Sequence, residues 1–298
     1  MYGGIEGGGT KFVCVIGTGP EAIVDTARIE VTGPADTVAA AVAFLRRAVD
    51  AGTRLDAIGI GSFGPVELRE GHPRYGWITT TPKPGWSGTD LVGPVAREFG
   101  VPVGFDLDVN AAALAEGRWG AARGFRSFIY LTLGTGIGGG AVVEGRLLHG
   151  LGHPEMGHLV VPRRPGDTFA GACPFHGDCF EGMASGPAIA ARFGRRAEAL
   201  EGADRAAAAA LVAFYLAAGV RSLVYALAPE LIVVGGGLSA LPGLFDGARS
   251  ELLVQLAGYP GLPEHGSQFL VPAGLGGMAG PAGTLILAET AAAAASSP

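Results

Sequence analysis

Residues 2–17 read YGGIEGGGTKFVCVIG, which is an extended run, a glycine turn and a second extended run. In the second run Phe12, Cys14 and Ile16 alternate with their neighbours, and this period of two is typical of a half-buried strand. The three glycines between the runs provide the backbone freedom that a tight turn needs. The stretch therefore predicts a β-hairpin at the start of an α/β unit.

The same pattern returns near residue 127. Residues 127–133 predict a strand, 134–140 a glycine-rich turn and 141–144 a second strand. This weak internal repeat predicts two related α/β halves with a cleft between them. The remaining patterns predict helices at 36–51, 109–122, 184–194 and 203–227, strands at 55–61, 101–106 and 231–234, loops at 64–88 and 273–283, and a last helix with an alanine tail.

Composition indicates a compact globular protein. Of its 298 residues 48% are hydrophobic and 16% charged, and a net charge of −6 without a basic cluster argues against a nucleic-acid-binding surface. The longest apolar run, 206–220, is shorter than the ~20 residues that a bilayer crossing needs, so it predicts a buried helix. No secretory signal pattern is present and the three cysteines fit a reducing compartment, so we expect a cytoplasmic protein.

Two glycine turns are candidate phosphate sites, EGGGTK at 6–11 and GTGIGGG at 134–140. Consecutive backbone N–H groups in such turns can cradle phosphate oxygens, although each turn alone could equally be a plain hairpin turn. A dinucleotide fold is excluded because a strand, and not a helix, is predicted after the second turn, and no P-loop motif is present. The two turns together, with Glu6, Thr10 and Lys11 in the first, favour phosphate binding.

A carboxylate follows the strand predicted at 101–106. In DLDVNAAALAEG, residues 106–117, Asp106 ends the strand and Asp108 stands where the next helix begins. An aspartate in that position is commonly a plain helix N-cap. The other interpretation is catalytic, because the active sites of open α/β sheets lie at the carboxyl ends of their strands.

Residues 173–179, CPFHGDC, hold two of the three cysteines. Two thiolates and an imidazole at spacings of three suit zinc, and a further histidine would complete a closed, structural site. The spacing excludes a C-x-x-C redox pair, a disulfide is disfavoured in the cytoplasm, and the alternative is a loop with two unrelated thiols. The candidate ligands are Cys173, His176 and Cys179, with His158 or His153 as the fourth.

Eight motifs in this order carry a family resemblance: GGIEGGGTK, GSFGPVELREG, YGWITTTPKPGW, DLDVNAAALAEG, LTLGTGIGGG, GHPEMGH, CPFHGDCFEG and VVGGGLSA. By them the chain resembles the ROK group of sugar kinases over almost its whole length, and it is most similar to the bacterial fructokinases of that group.

The resemblance implies an α/β, two-lobed, actin-like and hexokinase-like ATPase fold of duplicated ribonuclease H-like domains, with a small zinc-binding insertion. The N-terminal lobe would span 1–118 and the C-terminal lobe 119–281. The zinc-binding segment would lie at 149–182, and a last helix from about 282 to 298 would pack on the N-terminal lobe. Closure of the lobes over substrate and a homodimer are also implied.

The resemblance also assigns cofactors and residue roles, with ATP as phosphoryl donor, catalytic Mg²⁺ and structural Zn²⁺. The first phosphate loop would comprise Gly7, Gly8, Gly9, Thr10 and Lys11, and the second Gly134, Thr135 and Gly136. The adenosine pocket would be bordered by Gly235, Gly236 and Gly237, with Glu6 associated with Mg²⁺ and Asp108 as general base. Sugar contacts would come from Gly64, Pro65, Asn110, Glu155, His158 and Glu181. The zinc ligands would be His158, Cys173, His176 and Cys179, because His158 and not His153 occupies the family's ligand position.

Fructose is the substrate that the resemblance favours, with fructose 6-phosphate and ADP as products, because CPFHGDC follows the fructokinase version of the zinc motif. Leu107 departs from the family, whose members place Asn or Thr before the base, so one sugar contact is missing or supplied elsewhere. Glucose, mannose and N-acetylmannosamine are alternative substrates. A sugar-responsive repressor would need a helix-turn-helix segment before the first loop, and a non-catalytic sensor is disfavoured by Asp108, Lys11 and both glycine loops.

Overall fold

The computed structural model describes residues 1–259 and 266–296, which form two compact units. The first comprises Met1–Gly120, Leu147–Pro154 and the chain from Gly277, and the second Ala121–Arg146 and Glu155–Gly276. The strands are β1 (Tyr2–Gly7), β2 (Lys11–Gly17), β3 (Ile23–Glu30), β4 (Ala57–Ser62), β5 (Trp77–Ile78), β6 (Thr89–Asp90), β7 (Val103–Leu107), β8 (Phe128–Leu133), β9 (Ile137–Val143), β10 (Arg146–Leu147), β11 (Leu231–Gly235) and β12 (Leu270–Pro272). The helices are α1 (Pro34–Asp50), α2 (Val92–Phe99), α3 (Asp108–Trp119), α4 (Phe180–Ala184), α5 (Gly186–Phe193), α6 (Gly202–Leu227), α7 (Leu244–Leu256) and α8 (Ala279–Ser296).

The first unit is built on a five-stranded sheet in the order β3-β2-β1-β4-β7. β1 pairs antiparallel with β2 and parallel with β4, and β4 pairs parallel with β7. The predicted opening hairpin, the helix at 36–51 and the strand at 55–61 are confirmed as β1–β2, α1 and β4. The sequence analysis missed β3, whose side chains are exposed or only partly buried, so its apolar pattern is weak.

The second unit repeats this topology. Its sheet has the order β10-β9-β8-β11-β12, with β8 antiparallel to β9 and parallel to β11, and β11 parallel to β12. Counted along the chain within each five-stranded sheet, the strands lie side by side in the order third, second, first, fourth and fifth, while β5 and β6 form a separate small sheet. The internal repeat predicted from the two glycine hairpins is thus confirmed as a duplicated sheet topology.

The second glycine turn is shorter than the sequence pattern predicts. The turn was expected over 134–140, but β9 already begins at Ile137 and its glycines pair with β8. A Cβ added to Gly139 would overlap the Met156 sulfur, so close packing and not a turn requires glycine there. The turn itself is limited to residues 134–136.

The loop predicted at 273–283 also ends early, because α8 begins at Ala279. Gly283 lies inside this helix although glycine is a weak helix former. A Cβ on Gly283 would overlap the carbonyl oxygen of Ala111 in α3, and a Cβ on Gly59 of β4 would overlap the carbonyl oxygen of Thr284 in α8. These glycines let backbone approach backbone, so α8 lies directly on the sheet and on α3.

The long apolar helix α6 forms part of the core of the second unit. Its length and composition would allow it to cross a membrane, yet 72% of its most apolar window is buried inside the protein. Core helices commonly meet the same length and composition test, and this burial agrees with the buried helix predicted from residues 206–220.

Gly283→Ala is expected to destabilise the protein by about 1–3 kcal/mol, because its methyl group would force α8 away from α3. Helix propensity alone predicts the opposite sign, a gain of roughly 0.5–1 kcal/mol. The measurement is the free energy of unfolding from urea titration. Gly277→Ala is the matched control, because a Cβ there meets no atom within 4 Å and its effect should stay within about 0.5 kcal/mol. A stabilised Gly283→Ala protein would show that the contact is not tight.

Candidate active site

Asp108 lies where the buried strand β7 ends and α3 begins. Its Oδ1 accepts a hydrogen bond of 2.8 Å from the Val109 N–H. Burial raises the pKa of Asp108 to about 6, and this outweighs the hydrogen bond to the Val109 N–H and the positive charge of Lys83, both of which lower it. A carboxylate at the end of a parallel strand with a pKa near neutrality is suited to accept a proton from a substrate.

A buried polar network adjoins Asp108. Asp106 accepts hydrogen bonds from the Leu107 N–H at 2.7 Å and from Asn110 Nδ2 at 2.6 Å, and its other oxygen lies 2.9 Å from His149 Nε2. The hydrogen bond to Asp106 raises the pKa of His149. Asn110 is fully buried, and its Oδ1 has no hydrogen-bond partner in the described part of the chain. A buried acceptor left in this way is costly, and a ligand hydroxyl would satisfy it.

His153 belongs to the first unit and not to the cysteine cluster. Its Nε2 accepts a 3.2 Å hydrogen bond from the Val66 N–H, and burial lowers its pKa, which favours the neutral, accepting form. A Cβ on Gly64 would lie 2.9 Å from the Leu107 side chain and 3.3 Å from the His153 ring. The predicted sugar-site pair Gly64 and Pro65 therefore lies beside Leu107 and a histidine that the sequence analysis considered only as a metal ligand.

The first glycine turn joins β1 to β2 and is closed by a 3.0 Å hydrogen bond from the Gly8 N–H to the Lys11 carbonyl. Glu6, the last side chain before the turn, packs so closely against Gly280 that a Cβ on Gly280 would overlap its carboxylate. Burial, and then the charge of Asp108, raise the pKa of Glu6 to about 7. Two neighbouring carboxylates that resist ionising together favour a cation, and oxygen donors are the ligands that Mg²⁺ prefers.

The second glycine turn, Gly134 to Gly136, is braced from two helices. The Gly186 N–H at the start of α5 donates to the Gly134 carbonyl at 2.7 Å, and Glu181 Oε2 in α4 accepts from the Ile137 N–H at 2.9 Å. Glu181 was predicted as a sugar contact. The structure gives it a role that was not predicted, because one of its carboxylate oxygens fixes the backbone of this turn.

The glycines that follow β11 lie against the end of β8. Gly236 has a φ of +84°, and a Cβ there would overlap the backbone of Leu133, so this position requires glycine twice over. A Cβ on Gly235 would overlap the Tyr130 hydroxyl. Gly236 therefore lies next to Leu133, the residue before the second glycine turn.

Four potential metal ligands converge in the second unit, and all their donor atoms lie within 4.8 Å of one another: His158, Cys173, His176 and Cys179. The Sγ–Nδ1 separations are 3.5 Å for Cys179 and His158, 3.7 Å for Cys173 and His158, and 3.8 Å for Cys173 and His176. Tetrahedral zinc with bonds of about 2.3 Å to sulfur and 2.0 Å to nitrogen sets sulfur and nitrogen about 3.5 Å apart. The cluster therefore fits zinc in both donor type and size.

The segment between His158 and Cys173 is anchored independently of this cluster. Arg192 makes two 2.8 Å hydrogen bonds to the Asp167 carboxylate, and the Tyr215 hydroxyl donates a third at 2.5 Å. These bonds, that of Arg192 above all, lower the pKa of Asp167. At the other end Cys179 directly precedes α4, which carries Glu181, so the cluster is two residues from the brace of the second glycine turn.

Three residues near these groups escaped the sequence analysis as functional candidates: Lys83, Asp106 and His149. Lys83 donates hydrogen bonds to carbonyls of the first glycine turn, from a stretch that was predicted as a loop and as part of a family motif but given no role of its own. No periodicity marks such a loop. Rarity would have served as a signal, because the chain contains only two lysines.

The repeated sheet order, the paired glycine hairpins and the carboxylate at the end of a parallel strand define the hexokinase-like class of sugar-kinase folds. The chain matches the ROK family model over residues 2–291 and belongs to that family.

Sequence relatives align with this chain over nearly its full length. A fructokinase of Zymomonas mobilis is 41% identical, covering 98% of this chain and 97% of its own. A fructokinase of Pediococcus pentosaceus is 38% identical, covering 98% of both chains. Among solved structures, a ROK family glucokinase from Streptomyces griseus in complex with glucose and AMPPNP has a TM-score of 0.74 at 27% identity, covering 97% of this chain and 99% of its own.

Asp108→Asn is expected to melt at a higher temperature than the wild type at about pH 8, by roughly 2–4 °C. Because burial raises the pKa of Asp108 from 3.8 to about 6, the folded protein binds this proton more tightly than the unfolded chain. The ionised carboxylate thus lowers stability above pH 6, and the penalty fades as the pH falls toward 3.8. Calorimetry across this range should show the difference in Tm shrinking with acidity. A Tm difference that stays constant over this pH range would contradict the raised pKa of Asp108.

Proposed function

We propose that the protein is an ATP-dependent fructokinase that converts D-fructose and ATP to fructose 6-phosphate and ADP. The observation that carries this proposal is the full-length similarity to relatives named fructokinases, at 36–41% identity. The C-x-x-H-x-x-C spacing at 173–179, which resembles the fructokinase version of the motif, supports fructose over glucose.

Asp108 acts as the general base in this proposal. Its carboxylate accepts the proton of the attacking sugar hydroxyl while that oxygen bonds to the γ-phosphorus, and the bond from phosphorus to the departing ADP oxygen breaks. The turns of Gly7 to Lys11 and of Gly134 to Gly136 bind phosphate oxygens through backbone N–H groups other than those of Gly8 and Gly134, which donate within their own turns, and Gly235 to Gly237 border the adenosine. Mg²⁺, when bound, supplies neutralisation of phosphate charge, and Glu6 is the carboxylate that would hold it.

Sugar binding in this proposal is assigned to Asn110 and five further residues. The acceptor Oδ1 of the buried Asn110 takes a hydrogen bond from a sugar hydroxyl. Asp106 accepts a hydrogen bond from Asn110 Nδ2 and thereby fixes the orientation of the amide. Gly64, Pro65, Glu155 and Glu181 make the remaining contacts. His158 contributes through the metal cluster, because its Nδ1 faces both cysteine sulfurs. Leu107 offers no hydrogen bond and instead contributes apolar surface.

The test of the substrate is coupled ADP release with fructose, glucose, mannose and N-acetylmannosamine at equal concentrations. We expect kcat/KM for fructose to exceed that of the other hexoses by about tenfold or more, as one well-made hydroxyl contact allows. Preference for glucose or N-acetylmannosamine would overturn the fructokinase assignment while retaining a sugar kinase.

The test of the base is Asp108→Asn, which keeps the shape of the side chain and an acceptor for the Val109 N–H. Turnover should fall by about 10²–10⁴-fold, the usual contribution of a general base, while fructose binding measured by calorimetry is retained. Turnover close to that of the wild type would remove Asp108 from this role.

The second metal in the proposal is zinc, held by His158, Cys173, His176 and Cys179 as a closed structural site. Cys179→Ser should lose the metal and raise the KM for sugar by several-fold, because α4 and Glu181 lose their anchor. Elemental analysis of protein purified without added zinc should give one zinc per chain. Cys14→Ala is the matched control, since Cys14 is buried in β2 of the first unit and should keep full zinc content. Zinc-free wild type would contradict the proposal.

A further inference from the structure

The chain uses lysine at only two positions, against nineteen arginines. Lys11 ends the first glycine turn. The other lysine, Lys83, approaches the same turn from the loop between β5 and β6, and its Nζ donates hydrogen bonds to the carbonyl oxygens of Gly9 and, at 3.4 Å, of Gly8. Both lysines of the protein are therefore placed at the turn proposed to bind phosphate.

Aromatic rings hold the Lys83 ammonium in place. Its Nζ lies 4.2 Å from the centroid of the Phe63 ring and 5.7 Å from that of Trp86. Trp86 is only 2% exposed and packs against Phe12 of β2, with ring centroids 5.5 Å apart. A cation on the face of buried aromatic rings is fixed more firmly than one on a free surface side chain.

The partners of this ammonium are neutral. In the described part of the chain no carboxylate lies within ion-pairing distance of Lys83, although its positive charge reaches Asp108 and lowers the pKa of that carboxyl. Burial in turn lowers the pKa of Lys83. The ammonium of Lys83 therefore binds the backbone of the glycine turn and lowers the pKa of Asp108, and it forms no salt bridge with a described residue.

The contact of Lys83 with two carbonyls also sets the direction of the neighbouring N–H groups in the turn. The C=O and N–H of one peptide unit point in opposite directions because the unit is planar and trans. When the carbonyls of Gly8 and Gly9 face Lys83, the N–H groups of Gly9 and Thr10 face away from it. A glycine-rich turn has many conformations available, and a charged donor that binds two successive carbonyls selects one of them.

We propose that Lys83 is a positioning residue for phosphoryl transfer, which draws the carbonyls of Gly8 and Gly9 onto its ammonium and so presents the amides of the first glycine turn to the phosphates of ATP. This inference rests on the proposed kinase function and adds a residue to it. The small tetrahedral ammonium suits a cradle of two carbonyls and a ring, whereas the planar guanidinium of arginine does not.

Two variants separate the geometry of Lys83 from its charge. Lys83→Met places an uncharged side chain of similar length beside Phe63. It should raise the KM for MgATP and lower kcat by about tenfold to a hundredfold in total, which is the loss expected for a hydrogen bond to a charged group. Fructose affinity should change by less than about threefold. In Lys83→Met the acid limb of the pH–rate profile should also move to higher pH, because the positive charge that lowers the pKa of Asp108 is gone.

Lys83→Arg keeps the positive charge, but its planar guanidinium does not fit between the two carbonyls and the Phe63 ring. Its acid limb should therefore match the wild type, while its KM for MgATP should still rise. If Lys83 only stabilised the fold, its substitution would leave the acid limb unchanged and would not weaken MgATP binding more than fructose binding.

Arg74→Met is the matched control. Arg74 is also a cation over an aromatic ring of the first unit, 5.8 Å from the centroid of Trp77, and it is exposed to solvent. Its removal should leave both KM values and kcat at wild-type levels, and thermal melts should show all variants folded.

The outcomes are distinguishable. A Lys83→Met enzyme with the wild-type KM for MgATP and the wild-type acid limb would overturn the role of Lys83 alone. A wild type that phosphorylates no hexose would overturn the proposed function instead. Should Lys83→Met fail to fold, Lys83→Arg decides, because an unchanged KM for MgATP in that variant also contradicts the positioning role.

Discussion

The close contact of α8 with glycine-bearing backbone is the constraint on which the first unit depends. Thr284 stands over Gly4 and Gly59, where any side chain would meet it, and Gly283 brings α8 onto the backbone of α3. The strand that contains Gly4 ends at the first glycine turn, and α3 begins with Asp108. The positions of the turn and of the proposed base are therefore fixed by the same packed layer, in which side-chain volume has been removed to let helix and sheet meet.

The second unit reaches a comparable rigidity by other means. Its glycine turn is held by hydrogen bonds from α4 and α5, and α4 follows directly on a cysteine of the four-ligand cluster. The loop that leads to the cluster is tied to α5 by the ion pair of Asp167 with Arg192, and to α6 by the hydrogen bond that the Tyr215 hydroxyl donates to Asp167. In this unit an ion pair and a cluster of potential metal ligands hold the short irregular segment, whereas close packing of backbone on backbone holds the first unit. Such a segment has little apolar surface to bury.

Much of this architecture could be predicted from the sequence, and the failures share a cause. Alternation in residues 2–17 and its return near 127 predicted the hairpins and the duplication. The regular spacing in 173–179 predicted three of the four side chains that converge, and the family resemblance selected His158 over His153 as the fourth. Glycine was read as a sign of turns, so β9 and α8 were both started too late, although Gly139 and Gly283 are there to admit a neighbour. Asp106, His149 and Lys83 were missed because contacts between distant, aperiodic segments leave no local pattern.

The membership of α8 in the first unit bears on the order in which the chain folds. Residues 121–276, which include the whole of the second unit, emerge from the ribosome before α8 does, and their own sheet has all its strands by then. The first unit, although its strands are synthesised earlier, must wait with Gly4, Gly59 and Gly104 uncovered until α8 appears. Vectorial synthesis therefore completes the second unit first, and the nascent first unit is the part of the molecule that exposes apolar surface to chaperones.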